Sequence, residues 1–277
     1  MKLNAKRTVC VGFAFFLICT FWQAYDTIIP KILTDRFGMS QAVSGFIMAL
    51  DNILALFMLP LFGVLSDKCR SKLGRRTPFI LFGTIAAVIA LFGLSAVSGA
   101  QLSKIGEISE LDSREARYMI YDAKKDAVTP DGEKFVLSEK FTRDEFAAIT
   151  STDESTGKAT DSYTDYVVPA RQSYVKTEVT AKNRGILIGF IAILLLLLIS
   201  MATFRTPAVA LMPDVTPKPL RSKANAIINL MGTIGGSLVL GLGIVLKTGK
   251  TANTFMSYTA YFCIVGGIML ICLGAFM

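Results

Sequence analysis

The stretch GVLSDKCRSKLGRRTPF (residues 63–79) places five cations, Lys68, Arg70, Lys72, Arg75 and Arg76, within nine positions and beside Asp67. Long apolar runs flank it on both sides. A charged turn between two such runs is the pattern of a chain that crosses a membrane repeatedly, and the rest of the sequence repeats it. The 277 residues have a mean hydropathy of +0.52, and only 18% are charged. About 20 apolar residues, rising ~1.5 Å each, cross a ~30 Å hydrocarbon core. Six windows qualify: roughly 9–29, 44–65, 78–100, 185–212, 224–246 and 258–277. Lys2, Lys6 and Arg7 precede the first as they would a secretory signal. That run is too long for a signal core and no small-residue cleavage site follows it, so it reads as a retained helix.

The fold expected is an all-α membrane protein of six helices with a small polar extracytoplasmic insertion, α+β in character. Three segments follow: helices one to three in 1–100, the insertion in 101–183, and helices four to six in 184–277. An even number of crossings puts both termini on one side. The cations concentrate on that side: Lys2, Lys6 and Arg7, the five of the opening stretch, then Lys218, Arg221 and Lys223. The short loops opposite hold Lys31, Arg36, Lys247 and Lys250. By the positive-inside rule both termini are expected in the cytoplasm; the location expected is the cell (plasma) membrane.

Composition removes several function classes. The chain has no histidine, which excludes imidazole metal sites and Ser-His or Cys-His nucleophile pairs. Of the five cysteines, Cys10, Cys19, Cys263 and Cys272 fall in predicted helices and Cys69 in the basic loop, so no disulfide framework supports the insertion. No set of nucleophile, base and metal converges, and an enzyme is not expected. The net charge of +8 reflects topology rather than nucleic-acid binding, because residues 101–183 carry 16 acids against 12 bases.

Within the insertion, RYMIYDAKKDAVTPDGEKFVLSEKF (117–141) reads as two short strands around a Pro-Asp-Gly turn. TRDEFAAI (142–149) reads as a short helix with Thr142 as N-cap. TSTDESTGKATDS (150–162) is poor in apolar residues and reads as loosely held. The insertion serves either as a small cap on helices three and four or as a recognition surface.

Ionisable groups inside apolar helices are costly and point to function. Asp26, in FWQAYDTII, lies near the outer end of helix one, with Trp22 one turn earlier on the same face and Gln23 and Tyr25 nearby. A carboxylate beside an aromatic face suits a sugar; an interfacial aromatic belt is the alternative. Asp51, in ALDNILAL, lies ~10 Å inside helix two, where a lone carboxylate takes a proton or a cation. It is the cation-coupling candidate, together with Asp26, and the ion is a proton or sodium. Arg205 either faces a cavity or snorkels to the interface. Pro207 and Pro213 loosen the same helix. Asn225 and Asn229 share one face of helix five, where they line a pathway or bond a neighbour; the glycines of that helix allow close approach.

The opening stretch resembles the loop between helices two and three of the major facilitator superfamily, G-x-x-x-D-[RK]-x-x-x-x-G-R-[RK], with Gly63, Asp67, Lys68, Gly74, Arg75 and Arg76 in its places and two residues of extra spacing. SDKCRSKLGRRTPFI is more specifically similar to sucrose–proton symporters and their animal sugar-transporter relatives, near the glycoside–pentoside–hexuronide cation symporters. TPAVALMPDV followed by RSKANAIINLMGTIGG supports this: Pro207, Ala210, Leu211, Asp214, Ala224, Asn225 and Ala226 match the sucrose-carrier pattern. Val209 stands where that pattern has arginine, and Arg205 sits one turn earlier.

The resemblance implies a secondary transporter, or its N-terminal half, moving a sugar or glycoside with a proton or sodium by alternating access. No cofactor is expected. Trp22, Asp26, Arg205 and Asn225 then contact substrate. Gly63, Asp67, Gly74, Arg75, Arg76 and Asp214 form a conformational latch, in which Asp67 caps helix three or pairs with Arg75 or Arg76, and these arginines reach toward Asp214. Family members have two six-helix bundles, so the C-terminal half is expected to be absent from this chain. The implied partners are the sugar, membrane lipid and that missing half. A non-transporting receptor or regulator and an inactive truncated fragment are the alternative readings.

Overall fold

The apolar windows become helices because in a bilayer every backbone polar group must be satisfied within its own segment. The computed structural model of the protein describes residues 5–110, 112–153, 156–250 and 254–277; Lys2 of the predicted basic terminus lies outside them. Among the described residues six helices are long and apolar enough to cross a membrane. They are built from α1 (Ala5–Lys31), continued by a π-turn at Ile32–Arg36; α2 (Gln41–Met48) and α3 (Leu50–Lys68), which form the second span; and α4 (Thr77–Ile105). The other three spans follow the insertion.

The insertion opens with α5 (Arg114–Asp122). The hairpin β1 (Asp126–Val128) and β2 (Lys134–Val136) pairs antiparallel with Ala127 opposite Phe135, around the predicted Pro130-Asp131-Gly132 turn. Then come α6 (Leu137–Lys140), α7 (Arg143–Ala148), α8 (Val168–Tyr174) and the long α9 (Arg184–Val215). The chain finishes with α10 (Arg221–Val245) and α11 (Thr259–Phe276).

α1 is the hub. It packs on α10 along most of its length and also touches α11 and α9, while α4 packs on α9 and α11. The shared core includes Leu17, Phe21, Ile28, Leu194, Phe204 and Phe262. The α1–α10 seam is tight: a Cβ on Gly235 would lie 2.6 Å from the Phe16 carbonyl oxygen. Small residues let helix backbones approach where lipid supplies no hydrophobic drive for association. α3 leans almost entirely on α9 and leaves Leu56, Phe57 and Leu61 uncovered.

The insertion has a core of its own, with Ile108, Ile120, Phe135, Phe146 and Tyr163 among its members. Residues 117–122, expected as a strand, are helical. Ser113 caps this helix by accepting from the Ala116 amide, and Ala116, Arg117 and Ile120 point inward at helical spacing. One buried helical face outweighs the strand propensity of Tyr118, Ile120 and Tyr121. Thr142 caps α7 as expected, and its capping box with Glu145 is complete. In the 150–162 segment a bridge joins Thr152 to Ala159, and Ser151 is tied to the Asp112 carboxylate.

Arg36 fastens the insertion end of the bundle. It is 1% exposed and donates to the Ser98 carbonyl at 3.0 Å, to the Ser98 hydroxyl and to the Met256 carbonyl. Its guanidinium lies 4.7 Å from the centre of the Tyr258 ring. Gln101 donates to the Arg36 carbonyl at 2.9 Å and to Thr180 Oγ1 at 3.1 Å. Thr180 Oγ1 in turn donates to the Phe37 carbonyl at 3.1 Å. Charge patterning had marked Arg36 only as a loop cation.

Candidate functional site

Midway along the α1–α10 seam lies a cavity of about 500 Å³. From α1 it takes Cys19, Trp22, Gln23 and Asp26, and from α10 it takes Asn229, Thr233 and Ser237. The residues arrive by helical arithmetic. Trp22 and Asp26 are four apart, and so are Asn229, Thr233 and Ser237, so each set forms one stripe. Gly232 and Gly236 run beside the α10 stripe and keep its backbone close to α1.

An aromatic cluster holds Trp22 in place. Phe21 meets it edge-on at 5.2 Å and Tyr25 at 5.4 Å, while Tyr25 stacks on Phe21 at 6.0 Å. Arg205, from α9, lies 5.4 Å from the Trp22 ring centre. Sequence left Arg205 between cavity and interface; in the fold it meets the Trp22 ring but is not among the residues lining the cavity. A guanidinium over an indole contributes roughly 0.5–2 kcal/mol. The indole N–H of Trp22 and the hydroxyl of Tyr25 are buried without a hydrogen-bond partner among the described residues. Of the two residues only Trp22 lines the cavity, where its N–H can serve a polar guest.

Asp51 stands in the first turn of α3, where its carboxylate accepts from the Asn52 amide at 2.9 Å. Asp26 and Asp51 lie within electrostatic reach of one another, and Tyr25 feels both. Asp26 lines the cavity and Asp51 does not. Asn225 does not join the cavity; Asn229, one turn along the same face, does. Thr233 and Ser237 were not singled out in the sequence, although the four-residue spacing from Asn225 through Ser237 carries the signal.

At the opposite end from the insertion, Arg76 is the centre of the predicted latch. Its Nη2 lies 2.9 Å from Asp67 Oδ1, its Nε 2.6 Å from Asp214 Oδ2, and its Nη1 donates to Ser66 Oγ at 3.3 Å. One planar guanidinium thereby joins the feet of α3 and α9, using the fork that suits arginine to paired acceptors. Arg75 is exposed and takes no part in these bonds. Gly74 sits at φ +99°, in the left-handed region that lets the loop turn back and deliver Arg76. Gly63 faces the Thr206 methyl of α9, where a Cβ would make an ordinary contact at 3.4 Å. Arg221 closes the neighbouring corner by donating to the Pro213 carbonyl at 2.9 Å.

Residues 10–105 match the family described as MFS/sugar transport protein. The sucrose transport protein SUC3 of Arabidopsis thaliana is 45% identical over 64 residues, a stretch covering 22% of this chain and 11% of that protein. Proton-associated sugar transporter A of Homo sapiens is 35% identical over 86 residues, covering 31% of this chain and 11% of that protein. The sucrose transport protein SUT1 of Oryza sativa subsp. japonica is 38% identical over 64 residues, covering 22% and 12% respectively. The matched stretch therefore spans only about a tenth of each relative. No solved structure matches. The chain resembles sugar transporters of the major facilitator superfamily, and its relatives carry transport rather than enzyme names.

Proposed function

We propose that the chain forms a six-helix bundle of a secondary carrier that moves a sugar or glycoside together with a proton or sodium ion. The observation that carries the reading is the α1–α10 cavity, where Trp22, a stripe of amide and hydroxyl side chains and the Asp26 carboxylate meet, with Arg205 against the Trp22 ring. An indole stacks on the apolar face of a pyranose, while Arg205, Gln23, Asn229 and Asp26 suit its hydroxyls. Residues 10–105, which match the sugar-transport family, contain Trp22, Asp26, Asp51 and the Arg76 loop.

In this mechanism Asp51 and Asp26 share a cation. Two carboxylates in one partly dehydrated neighbourhood repel, and uptake of a proton or sodium relieves that repulsion. Relief favours the cavity that admits sugar. The Arg76 latch holds the feet of α3 and α9 together in one state and parts in the other. A second six-helix half covers the open side of α3 and α10, with both termini in the cytoplasm and the insertion outside the plasma membrane.

The test is uptake of labelled disaccharide in cells making the protein from its own locus, under imposed proton or sodium gradients. One gradient drives uptake, Asp51→Asn uncouples it, and Trp22→Ala raises KM. Uptake indifferent to both gradients and to Asp51→Asn removes the coupling role.

A further inference from the structure

A second cavity, of about 230 Å³, opens at the insertion end, far along α1 from Trp22. It is assembled from three parts of the chain. α1 and its π-turn give Lys31 and Asp35, the insertion gives Tyr163 and Arg171, and the segment joining α10 to α11 gives Lys250 and Tyr258. Three cations face one acid, for a net formal charge of +2.

The arrangement lacks an acceptor. Arg171 is 3% exposed; its Nη1 donates to the Tyr163 hydroxyl at 2.9 Å and its Nη2 lies 3.7 Å from Asp35, but its Nε finds no partner among the described residues. Tyr258 is 2% exposed, and its hydroxyl likewise finds none. Burial pushes that hydroxyl up to about 12, so it stays protonated and able to donate. Lys31 donates to the Thr248 carbonyl at 2.7 Å, which leaves two of its three N–H groups for other acceptors. Lys250 forms no ion pair among the described residues. Buried donors in folded proteins are nearly always satisfied, and leaving one unmade costs about 1–3 kcal/mol. Several donors converging on one small cavity with excess positive charge call for a compact, multidentate acceptor.

We propose that this cup binds a small oxyanion, either free in solution or as the phosphate head of an anionic lipid. Both sources present anionic oxygens on a tetrahedral centre, four in free sulfate and two unesterified ones in a phosphodiester head. The lipid source has a specific motive. An apolar groove of about 350 Å³, lined by Val239 and Ile244, shares Lys31, Thr248, Gly249 and Lys250 with the cup and runs on between α1 and α10. The site depends on none of Trp22, Asp26, Asp51 or Arg205, so it stands or falls apart from the sugar-carrier reading.

The experiment uses the full chain in neutral detergent, with sodium sulfate against sodium chloride at matched ionic strength. Calorimetry is expected to show one saturable sulfate site, with a rise in unfolding temperature that chloride does not give. Tyr258→Phe, which removes only the unpartnered hydroxyl, and the exposed Lys250→Gln should each weaken sulfate binding about tenfold. Neither should change the unfolding temperature in chloride. Dioctanoyl phosphatidylglycerol should compete with sulfate if the groove carries the tail, and should leave sulfate binding untouched if the anion is free. Absence of saturable binding by either probe overturns the proposal. So does equal affinity in Lys250→Gln, a surface change that leaves the fold intact.

Discussion

The two ends of the bundle are each organised by one arginine, in opposite ways. Arg36, at the insertion end, is 1% exposed and bonded to the Ser98 and Met256 carbonyls. Arg76, at the other end, bridges Asp67 and Asp214, whose side chains are 59% and 33% exposed. Neutral carbonyls around a buried cation leave no cheap alternative partner, since withdrawing the guanidinium strands them away from water. Carboxylates at a wet edge can exchange the guanidinium for water at little net cost. The arginine held by buried carbonyls therefore suits a fixed joint, and Arg76, itself 11% exposed but held by carboxylates at the solvent edge, suits a joint that opens. Substitutions can break or sharpen that contrast.

The largest effect is expected at the fixed joint. Arg36→Met should destabilise the chain by about 3 kcal/mol or more, read as a fall in thermal unfolding midpoint in detergent. Arg36→Lys should recover little of it, because one ammonium cannot serve Ser98 and Met256 with the same fork geometry. A midpoint unchanged in Arg36→Met would falsify the fixed-joint reading.

Next comes the seam between them. Gly235→Ala brings a methyl within 2.6 Å of the Phe16 carbonyl oxygen, so α1 and α10 must separate. A loss of about 1–3 kcal/mol is expected. Gly241→Ala on the same helix, with open space around its Cβ position, should be nearly silent. Equal effects from the two would show that the seam is not close-packed.

Arg76→Ala should cost less global stability than Arg36→Met, because its carboxylate partners are solvent-exposed and can turn to water. It should nonetheless speed hydrogen exchange at the foot of α9, around Asp214. Asp214→Asn should have the same effect, and the double variant should add little. Large global destabilisation with unaltered local exchange would make Arg76 a fixed joint like Arg36.

The smallest effect is electrostatic and confined to the insertion. Lys125 and Lys182, at 2.7 and 2.8 Å, hold the Glu178 carboxyl down to about 2. A depressed folded value means the contribution is present above the ordinary carboxylate range, near 4.5, and is lost as pH falls from there through about 2. Glu178→Gln should flatten that part of the acid titration of the insertion's near-ultraviolet circular dichroism. The pair is solvent-screened, so the change should be slight.

The spans, the charged turn and the Thr142 cap were legible because each rests on local sequence: apolar length, loop charge and one capping side chain. Trp22 and Asp26 were legible through helical spacing alone. What sequence could not supply was partner choice across distance. Arg75 and Arg76 are chemically alike, and only the turn at Gly74 decides which of them meets Asp214. Asn225 and Asn229 share a face, and only the height of α1 beside α10 decides which one lines the cavity. Arg36 looked like one more loop cation until folding brought Ser98 and Met256 around it, from 62 and 220 positions away. Residues 117–122 were misread because strand propensity there is overridden by packing inside the insertion.

The Arg36 joint also has a mechanical consequence. Its network reaches Thr180, four residues before α9 begins, so it pins that helix near one end. α9 has 32 residues and is therefore about 48 Å long. A rod pinned at one end and clasped lightly at the other behaves as one arm of a pair of tongs. Its displacement is least beside the insertion, intermediate at Arg205 and greatest at Asp214. A tilt of only about 5° would carry the free tip ~4 Å, more than the 2.6 Å that now separates Arg76 from Asp214. The long lever turns a slight rotation at the fulcrum into a full release at the clasp.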